Sequence, residues 1–284
     1  MSEPELGPVA GRWALRLERR YPHPVEKVWR AVTQPAHLAQ WFPSTVEVDL
    51  WVGGAMTFGF GPDLVVTGEV VECDPPRVFA FTWDTDELRF ELEPDGDGTR
   101  FVLVTTFDDR YGAASYAAGW ETCLHALAPV LTGEPVPPSG RAVARHEELV
   151  ARFGLDRPER RDGPAGWSVR WERQLTCPAE VVWDLFLGGL AGPAVGEEFR
   201  AQEVVRGTVT EVERPRVLAF DVAPAEPGDT VRLELGEGTG HGARLVLTVT
   251  GADAAERDAA VDRWGAGAVA HVAEQASTWA HSHA

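Results

Sequence analysis

The sequence is poor in cysteine: it has three in 284 residues, and none belongs to a CxxC pair or a Cys/His cluster. Zinc sites and disulfide frameworks need such spacings, so the sequence predicts no metal site and no disulfide-stabilised fold. No apolar run approaches the roughly 18 residues of a membrane-spanning helix. The N-terminus lacks the basic and apolar segments of a secretory signal. From these absences we expect a soluble, cytoplasmic protein.

Basic side chains are also scarce. Lysine and arginine total 26 against 44 aspartates and glutamates, which gives a formal net charge of −18. Nucleic acids and anionic membranes select basic surfaces, so we expect neither as a partner. The hydrophobic fraction of 44% is typical of a globular protein, and the length favours two domains.

Signatures of catalysis are missing as well. The sequence contains no nucleophile elbow, phosphate-binding loop or HExxH motif, and no Ser-His-Asp arrangement is evident. Acid–base catalysis needs titratable groups that converge in a pocket. Arg89 and Glu91 alternate with apolar residues along a strand, and Asp49 does so along another, which predicts that they face solvent. We therefore expect no catalytic residue, no cofactor and no bound metal, and an enzyme is the less favoured interpretation.

The sequence does contain an internal repeat. Residues 13–29 align with 167–183 at an offset of 154, with eight identities in 17 columns. These identities are Trp13/Trp167, Arg16/Arg170, Glu18/Glu172, Arg19/Arg173, Pro24/Pro178, Glu26/Glu180, Val28/Val182 and Trp29/Trp183. A second block aligns 68–81 with 207–220 at an offset of 139. Two ordered blocks predict a tandem architecture, and the smaller offset means that the second copy lacks 15 residues after its first helix.

Hydrophobic periodicity gives the elements of one copy. Alternation over residues 13–21 predicts a strand, and the spacing of apolar residues over 25–32 predicts a helix that opens after a proline. A short helix is expected at 36–41, followed by five or six antiparallel strands over 46–107. A helical stripe over 116–131 predicts one long helix laid across a curved sheet. Such a helix covers the sheet incompletely, which favours an internal cavity.

The first copy resembles the START-like (SRPBCC) superfamily, and within it the group related to the activator of the 90-kDa heat-shock-protein ATPase. The segments that carry the resemblance are 23–31, 38–42, 52–54, 68–72 with Pro76-Arg77, 81–83 and Gly119-Trp120. It covers about residues 12–131 and implies a helix-grip fold with a cavity between the sheet and the C-terminal helix. The expected fold class is therefore α+β, with two tandem helix-grip domains. Each has a curved antiparallel sheet wrapped on a long C-terminal helix, with two short helices after the first strand.

The repeat also predicts the domain boundaries. Residues 12–131 form the intact START-like domain, 132–165 a linker with a short helix, and 166–281 the shortened, divergent copy. The Trp41-Phe42 segment has no counterpart in that copy, and residues 195–199 keep only a remnant of the paired glycines. We therefore expect the second copy to be a scaffold or an interaction surface, and an intramolecular pairing of the two copies is left open.

Eleven side chains, ten of them aromatic, are candidates to line the cavity of the first copy. They are Trp41, Phe42, Trp51, Met56, Phe58, Phe60, Phe81, Trp83, Phe90, Tyr116 and Trp120. An apolar concave site is typical of small-molecule binding, whereas each ring taken alone is more often a core residue. The leading hypothesis is non-catalytic binding of a small hydrophobic ligand, as in stress response or metabolite sequestration by a bacterial protein. The alternatives are an enzyme similar to polyketide cyclases and dehydratases, and a chaperone-associated protein-interaction module; both come from the resemblance.

Overall fold

The computed structural model describes residues 2–138, 142–188, 192–201, 204–240 and 242–283. The chain divides into two units, Met1–Ala142 and Val143–Ala284. Each unit has its own antiparallel sheet and a C-terminal helix, which confirms the predicted α+β class and the tandem helix-grip arrangement. Residues 139–141 of the expected linker lie outside the described residues.

Unit 1 contains eight strands and three α-helices among its described residues. In chain order they are β1 (Glu5–Val9), β2 (Arg12–Tyr21), α1 (Val25–Thr33), α2 (Pro35–Leu38), β3 (Thr45–Val48), β4 (Ala55–Gly59), β5 (Val65–Asp74), β6 (Val78–Trp83), β7 (Asp86–Asp95), β8 (Gly98–Phe107) and α3 (Ala113–Thr132). The sheet order is β1-β2-β8-β7-β6-β5-β4-β3. Strand β1 is not predicted from the sequence, because most of its side chains are exposed and it lacks an alternating pattern.

Helix α3 packs on the inner face of this sheet. Its buried face includes Trp120, Leu124 and Leu127, which recur at the three- to four-residue spacing of one helix face. The Tyr21 hydroxyl on β2 donates a 2.9 Å hydrogen bond to the backbone carbonyl oxygen of Leu124. Helix α2 ends at Leu38, short of the predicted Trp41, but Trp41 still packs inward. The helix and the sheet thus enclose one core, and the side chains between them decide whether it holds a ligand.

Unit 2 contains seven strands and four α-helices among its described residues. They are α4 (Val143–Phe153), β9 (Glu159–Gly163), β10 (Gly166–Gln174), α5 (Ala179–Leu187), β11 (Glu198–Ala201), β12 (Val204–Glu213), β13 (Val217–Val222), β14 (Thr230–Glu237), β15 (Ala243–Gly251), α6 (Arg257–Ala260) and α7 (Ala270–Ser282), with a π-helix over Val261–Val269. Residues 143–163, expected to lie in a linker, provide α4 and the edge strand β9 of this unit. Helix α4 lies where the sequence predicts a short helix, but it is part of unit 2.

A buried arginine ties α4 to the sheet of unit 2. Arg173 on β10 forms an ion pair with Glu147 of α4. Its repeat partner Arg19 is also buried, but it pairs with Glu121 of α3 at 3.3 Å. The position equivalent to Glu121 in unit 2 is Gly265, so the acidic partner there comes from α4. The same buried cation is therefore neutralised from a different helix in each unit.

The repeat extends to fine structure. The register shift between Val70 and Glu72 in unit 1 recurs between Val209 and Glu211 in unit 2. The peptide bonds that precede Pro76 and Pro215 are both cis. Ion pairs on the outer face recur too, namely Arg89–Glu72 with Arg232–Glu211 and Arg100–Glu18 with Arg244–Glu172. By contrast, the described residues of unit 2 contain no counterpart of α2 and β3, where the sequence predicts the loss of 15 residues.

Candidate functional site

Aromatic rings fill the space between the sheet of unit 1 and α3. Phe42 lies at their centre, with its ring centroid 5.3–6.4 Å from those of Phe58, Phe81, Trp83 and Trp120. We call these five residues the aromatic cluster. Because the rings contact one another, side chains occupy the space around Phe42 where the sequence predicts a cavity. Aromatic pairs at these separations stabilise the fold beyond their area burial.

Four rings form a nearly parallel series that runs inward from the surface. Phe60 stacks on Trp83 with centroids 5.6 Å apart and an 18° angle, and Trp83 stacks on Phe58 at 5.0 Å and 16°. Phe58 stacks in turn on Phe81 at 5.8 Å and 28°. Phe60 is 41% exposed, whereas Phe58 is fully buried. This ring stack (Phe60, Trp83, Phe58 and Phe81) therefore joins solvent to the interior through flat apolar faces.

Strand alternation places these rings on one face. Phe58 lies on β4 and Phe60 directly after its last residue, Gly59, while Phe81 and Trp83 share a phase on β6. Gly68 on the intervening strand β5 has a specific role. A Cβ there would lie 1.9 Å from the Thr82 carbonyl oxygen and 3.3 Å from the Phe58 ring. Glycine thus lets the strands and the Phe58 ring approach closely.

Helix α2 and the segment after it supply the inner wall. The Trp41 indole donates a 2.9 Å hydrogen bond from Nε1 to the carbonyl oxygen of Ala31 in α1. This bond fixes the position from which Phe42 enters the aromatic cluster. Trp41 itself lies against Phe42 and Phe90, with centroids 5.6 and 6.1 Å away. Trp41 and Phe42, three and four residues after the end of α2, therefore join the helices of unit 1 to its sheet.

Most of the candidates named from the sequence lie on the inner face of unit 1. Trp41, Phe42, Met56, Phe58, Phe81, Phe90 and Trp120 are buried, while Trp83 and Tyr116 are half-buried. Trp51 does not join them: it is 60% exposed, in the turn between β3 and β4. Strand β3 ends at Val48, so Trp51 lies beyond the part of the sheet that faces α3.

Sequence reasoning missed a polar pair at the end of the ring stack. The Tyr116 hydroxyl on α3 donates a 3.0 Å hydrogen bond to Oδ2 of Asp86, the first residue of β7. Asp86 lies opposite Trp83 in the β6–β7 ladder, and the Arg12 guanidinium is 3.5 Å from its Oδ1. Burial raises the pKa of Asp86 from its ordinary value, although Tyr116 and Arg12 act in the opposite direction.

A sequence signal for Asp86 was available. It has the same phase as Leu88 and Phe90 on β7, both of which point inward, so alternation predicts an inward carboxyl. Arg89 and Glu91 have the opposite phase, and their side chains pair with each other at 2.7 Å. The prediction that these two face away from the core is confirmed.

Two clefts of about 530 and 490 Å³ lie in unit 2. The first is bordered by α4 and α7 and has Glu147, Arg173 and Glu274 in its lining. The second surrounds the start of α5. Within the described residues, no group of three or more His, Cys, Asp or Glu side chains is placed to hold a metal ion. Over the same ranges, no helix is long and apolar enough to cross a membrane.

Comparison with known proteins supports the resemblance seen in the sequence. A family model described as activator of Hsp90 ATPase homolog 1-like protein matches residues 22–132. No curated protein matches the chain. The resemblance inferred for the first copy is confirmed, and the matched region contains every ring of the aromatic cluster.

Several solved structures are similar to parts of the chain. CalU16 from Micromonospora echinospora is 25% identical, covering 54% of this chain and 95% of that chain, with a TM-score of 0.46. MLL2253 from Mesorhizobium loti is 25% identical, covering 42% and 97%, with a TM-score of 0.39. DynU16, a protein in the dynemicin biosynthetic locus, is 21% identical, covering 93% and 98%, with a TM-score of 0.43.

Proposed function

We propose, from the family match of residues 22–132, that unit 1 binds a small hydrophobic molecule between its sheet and α3. The observation that carries the proposal is the ring stack, which runs from the exposed Phe60 to the buried Phe58. Ligand sites are concave and mostly apolar, with a few polar groups that fix orientation. The ring stack offers flat apolar faces, and Asp86 with Tyr116 offers the polar groups.

Binding requires the outer rings to move, because the aromatic cluster is closely packed. Phe60 and Trp83 are only partly buried, so they can turn outward with less loss of packing than Phe58 and Phe42. A planar ligand would then stack between the displaced outer rings and the buried rings behind them. Each aromatic contact regained would contribute about 0.5–1.5 kcal/mol beyond area burial. A protein that binds in this way without conversion would sequester its ligand.

Unit 2 supports the assignment to unit 1. Its sheet keeps Phe220 at the position of Phe81, but the position of Trp83 is Val222. The position of Tyr116 is Ala260, as aligned through Trp120 and Trp264. A fold that forms without these side chains does not need them for its scaffold. Ligand contact is a role that would explain their presence in unit 1.

Titration with N-phenyl-1-naphthylamine, a neutral aromatic whose fluorescence rises in apolar surroundings, tests the proposal. We expect saturable binding that Phe60→Ala and Trp83→Ala each weaken by about 2- to 10-fold, the equivalent of one stacking contact. Trp51→Ala is the matched control, since it removes an exposed ring outside the ring stack. No saturable binding, or equal weakening by Trp51→Ala, would overturn the proposal.

One observation favours a second candidate, an acid–base enzyme of the cyclase or dehydratase type. A carboxyl group with a raised pKa lies beside a phenol on the inner face, where it would meet a bound substrate. In that case unit 1 would convert a poly-β-keto probe, and Asp86→Asn would abolish turnover while binding of the probe persists. Turnover unaffected by Asp86→Asn would remove Asp86 from a catalytic role.

A further inference from the structure

The inner face of unit 1 ends in a polar group at the β6–β7 hairpin. Trp83 closes β6, Asp86 opens β7, and the two are paired in the ladder. Trp83 also contacts Trp120 of α3, with ring centroids 6.1 Å apart. One turn before Trp120 on the same helix, Tyr116 reaches the Asp86 carboxylate. A molecule stacked at Trp83 would therefore have an edge directed at Asp86.

Arg12 on β2 holds the Asp86 carboxylate in place at the β6–β7 hairpin. Arg12 on β2 donates from Nε to Asp108 at 2.7 Å and from Nη2 to the Thr85 carbonyl oxygen at 2.9 Å. Its Nη2 also lies 3.5 Å from Asp86 Oδ1. Asp84 adopts φ = 54° in the turn, is exposed, and completes the charged groups that act on Asp86. The Arg12 guanidinium thus lies beside two carboxylates, Asp86 and Asp108, and Asp84 adds a third negative charge near Asp86. These four side chains therefore have more hydrogen-bond acceptors than donors and a net negative charge.

We propose that Asp86 anchors the ligand of unit 1 by accepting a hydrogen bond, and that this ligand is an aromatic molecule with a donor at one edge. The donor is a phenolic hydroxyl or a protonated amine. A carboxylate accepts about four hydrogen bonds. Tyr116 and Arg12 approach the Asp86 carboxylate from only two directions, one at each oxygen, and the Asp86 side chain is 22% exposed. This inference rests on the proposed function and adds the ligand's chemical class.

Three naphthalene probes of similar shape distinguish the contribution of the hydrogen-bond donor to affinity from that of the aromatic ring. Calorimetric titrations at pH 7 compare 2-naphthol, 2-naphthylmethylamine and 2-methoxynaphthalene, which has no donor. We expect both donors to bind about 10-fold more tightly than the ether, as one hydrogen bond to a charged group would give. Asp86→Asn should reduce the naphthol advantage to roughly threefold, because a neutral acceptor contributes about half as much. Binding of the ether should not change.

Asp84→Asn is the matched control. It removes the same charge from the same hairpin, and asparagine tolerates the left-handed conformation at that position. We expect it to keep the full donor preference. Loss of the preference in Asp84→Asn would overturn the assignment to Asp86.

The outcomes separate this inference from the proposed function. If all three probes bind equally to the unmodified protein and to Asp86→Asn, unit 1 binds aromatics but Asp86 is not an anchor. If none binds, the proposed function fails as well. A pH series provides a second readout. Protonation of Asp86 removes the charged acceptor, so the amine advantage should disappear at acid pH in the unmodified protein and be absent throughout in Asp86→Asn.

Discussion

The two units share a scaffold and differ in what lies on its inner face. Both keep the first strand and helix, the bulged strand pair and the outer ion pairs. In unit 1 the inner face carries the ring stack and a carboxyl–phenol pair. In unit 2 a smaller set surrounds Phe220, with Phe199 at 5.0 Å and Trp264 at 5.8 Å. The residues shared by the two units are therefore those that form the fold, whereas the residues found only in unit 1 are available for binding.

The largest effect that would test this comparison is expected at the buried ion pair of unit 2. Glu147→Gln leaves the Arg173 guanidinium, 9% exposed, without its anionic partner. Loss of one partner of a buried pair costs about 3–5 kcal/mol. Hydrogen exchange should show that unit 2 is destabilised while unit 1 is unchanged. Glu121→Gln should produce the reverse pattern, and a shared response to either variant would contradict independent scaffolds.

Phe42→Ala should come next. Phe42 contacts four other rings, and the segment that carries it has no counterpart in unit 2. Truncation of a buried phenylalanine costs about 3–5 kcal/mol through lost contacts and the cavity left behind. Chemical denaturation should show this loss in unit 1, and added N-phenyl-1-naphthylamine should recover part of it by filling the space. A stability unchanged by Phe42→Ala would mean that the cluster is not packed as described.

Asp86→Asn should have a smaller effect, of opposite sign. Because the pKa of Asp86 is raised in the folded protein, its protonated form favours folding. That contribution is complete below the unfolded pKa and is lost as the pH rises through the folded pKa. Asparagine imitates the protonated form, so the variant should have a higher melting temperature at pH 7. The difference should disappear at acid pH, and a lower melting temperature at pH 7 would show that the ion pair with Arg12 outweighs burial.

The smallest stability effects are expected at the surface. Phe60→Ala and Trp51→Ala each remove an exposed ring, 41% and 60% accessible, and surface changes usually stay within about 0.5 kcal/mol. The two variants should therefore have similar melting temperatures but differ in aromatic binding, which only Phe60→Ala weakens. A large stability loss in Phe60→Ala would make the ring stack structural.

Hydrophobic periodicity and the repeat predicted most of the fold, because a strand or helix with one buried face has apolar residues at a regular spacing in the sequence. They failed where packing depends on partners far along the chain. Strand β1 and the edge strand β9 are mostly exposed, and helix α4 belongs to unit 2 through its contacts with α7 and the ion pair with Arg173. At the site, alternation found Phe58, Phe60 and Trp83. It did not show that their rings fill the expected cavity, since ring orientation is decided by three-dimensional packing.

The pairing of Arg173 with Glu147 has a consequence for how the chain can be divided. The segment that repeats in the sequence begins near residue 166. The segment that can fold on its own begins earlier, because α4 supplies the negative charge that pairs with Arg173 and that the repeated segment lacks. A fragment cut at the start of the repeat would bury a lone cation, whereas one cut at Val143 would not. The repeated segment and the segment that folds independently therefore begin at different residues in this protein.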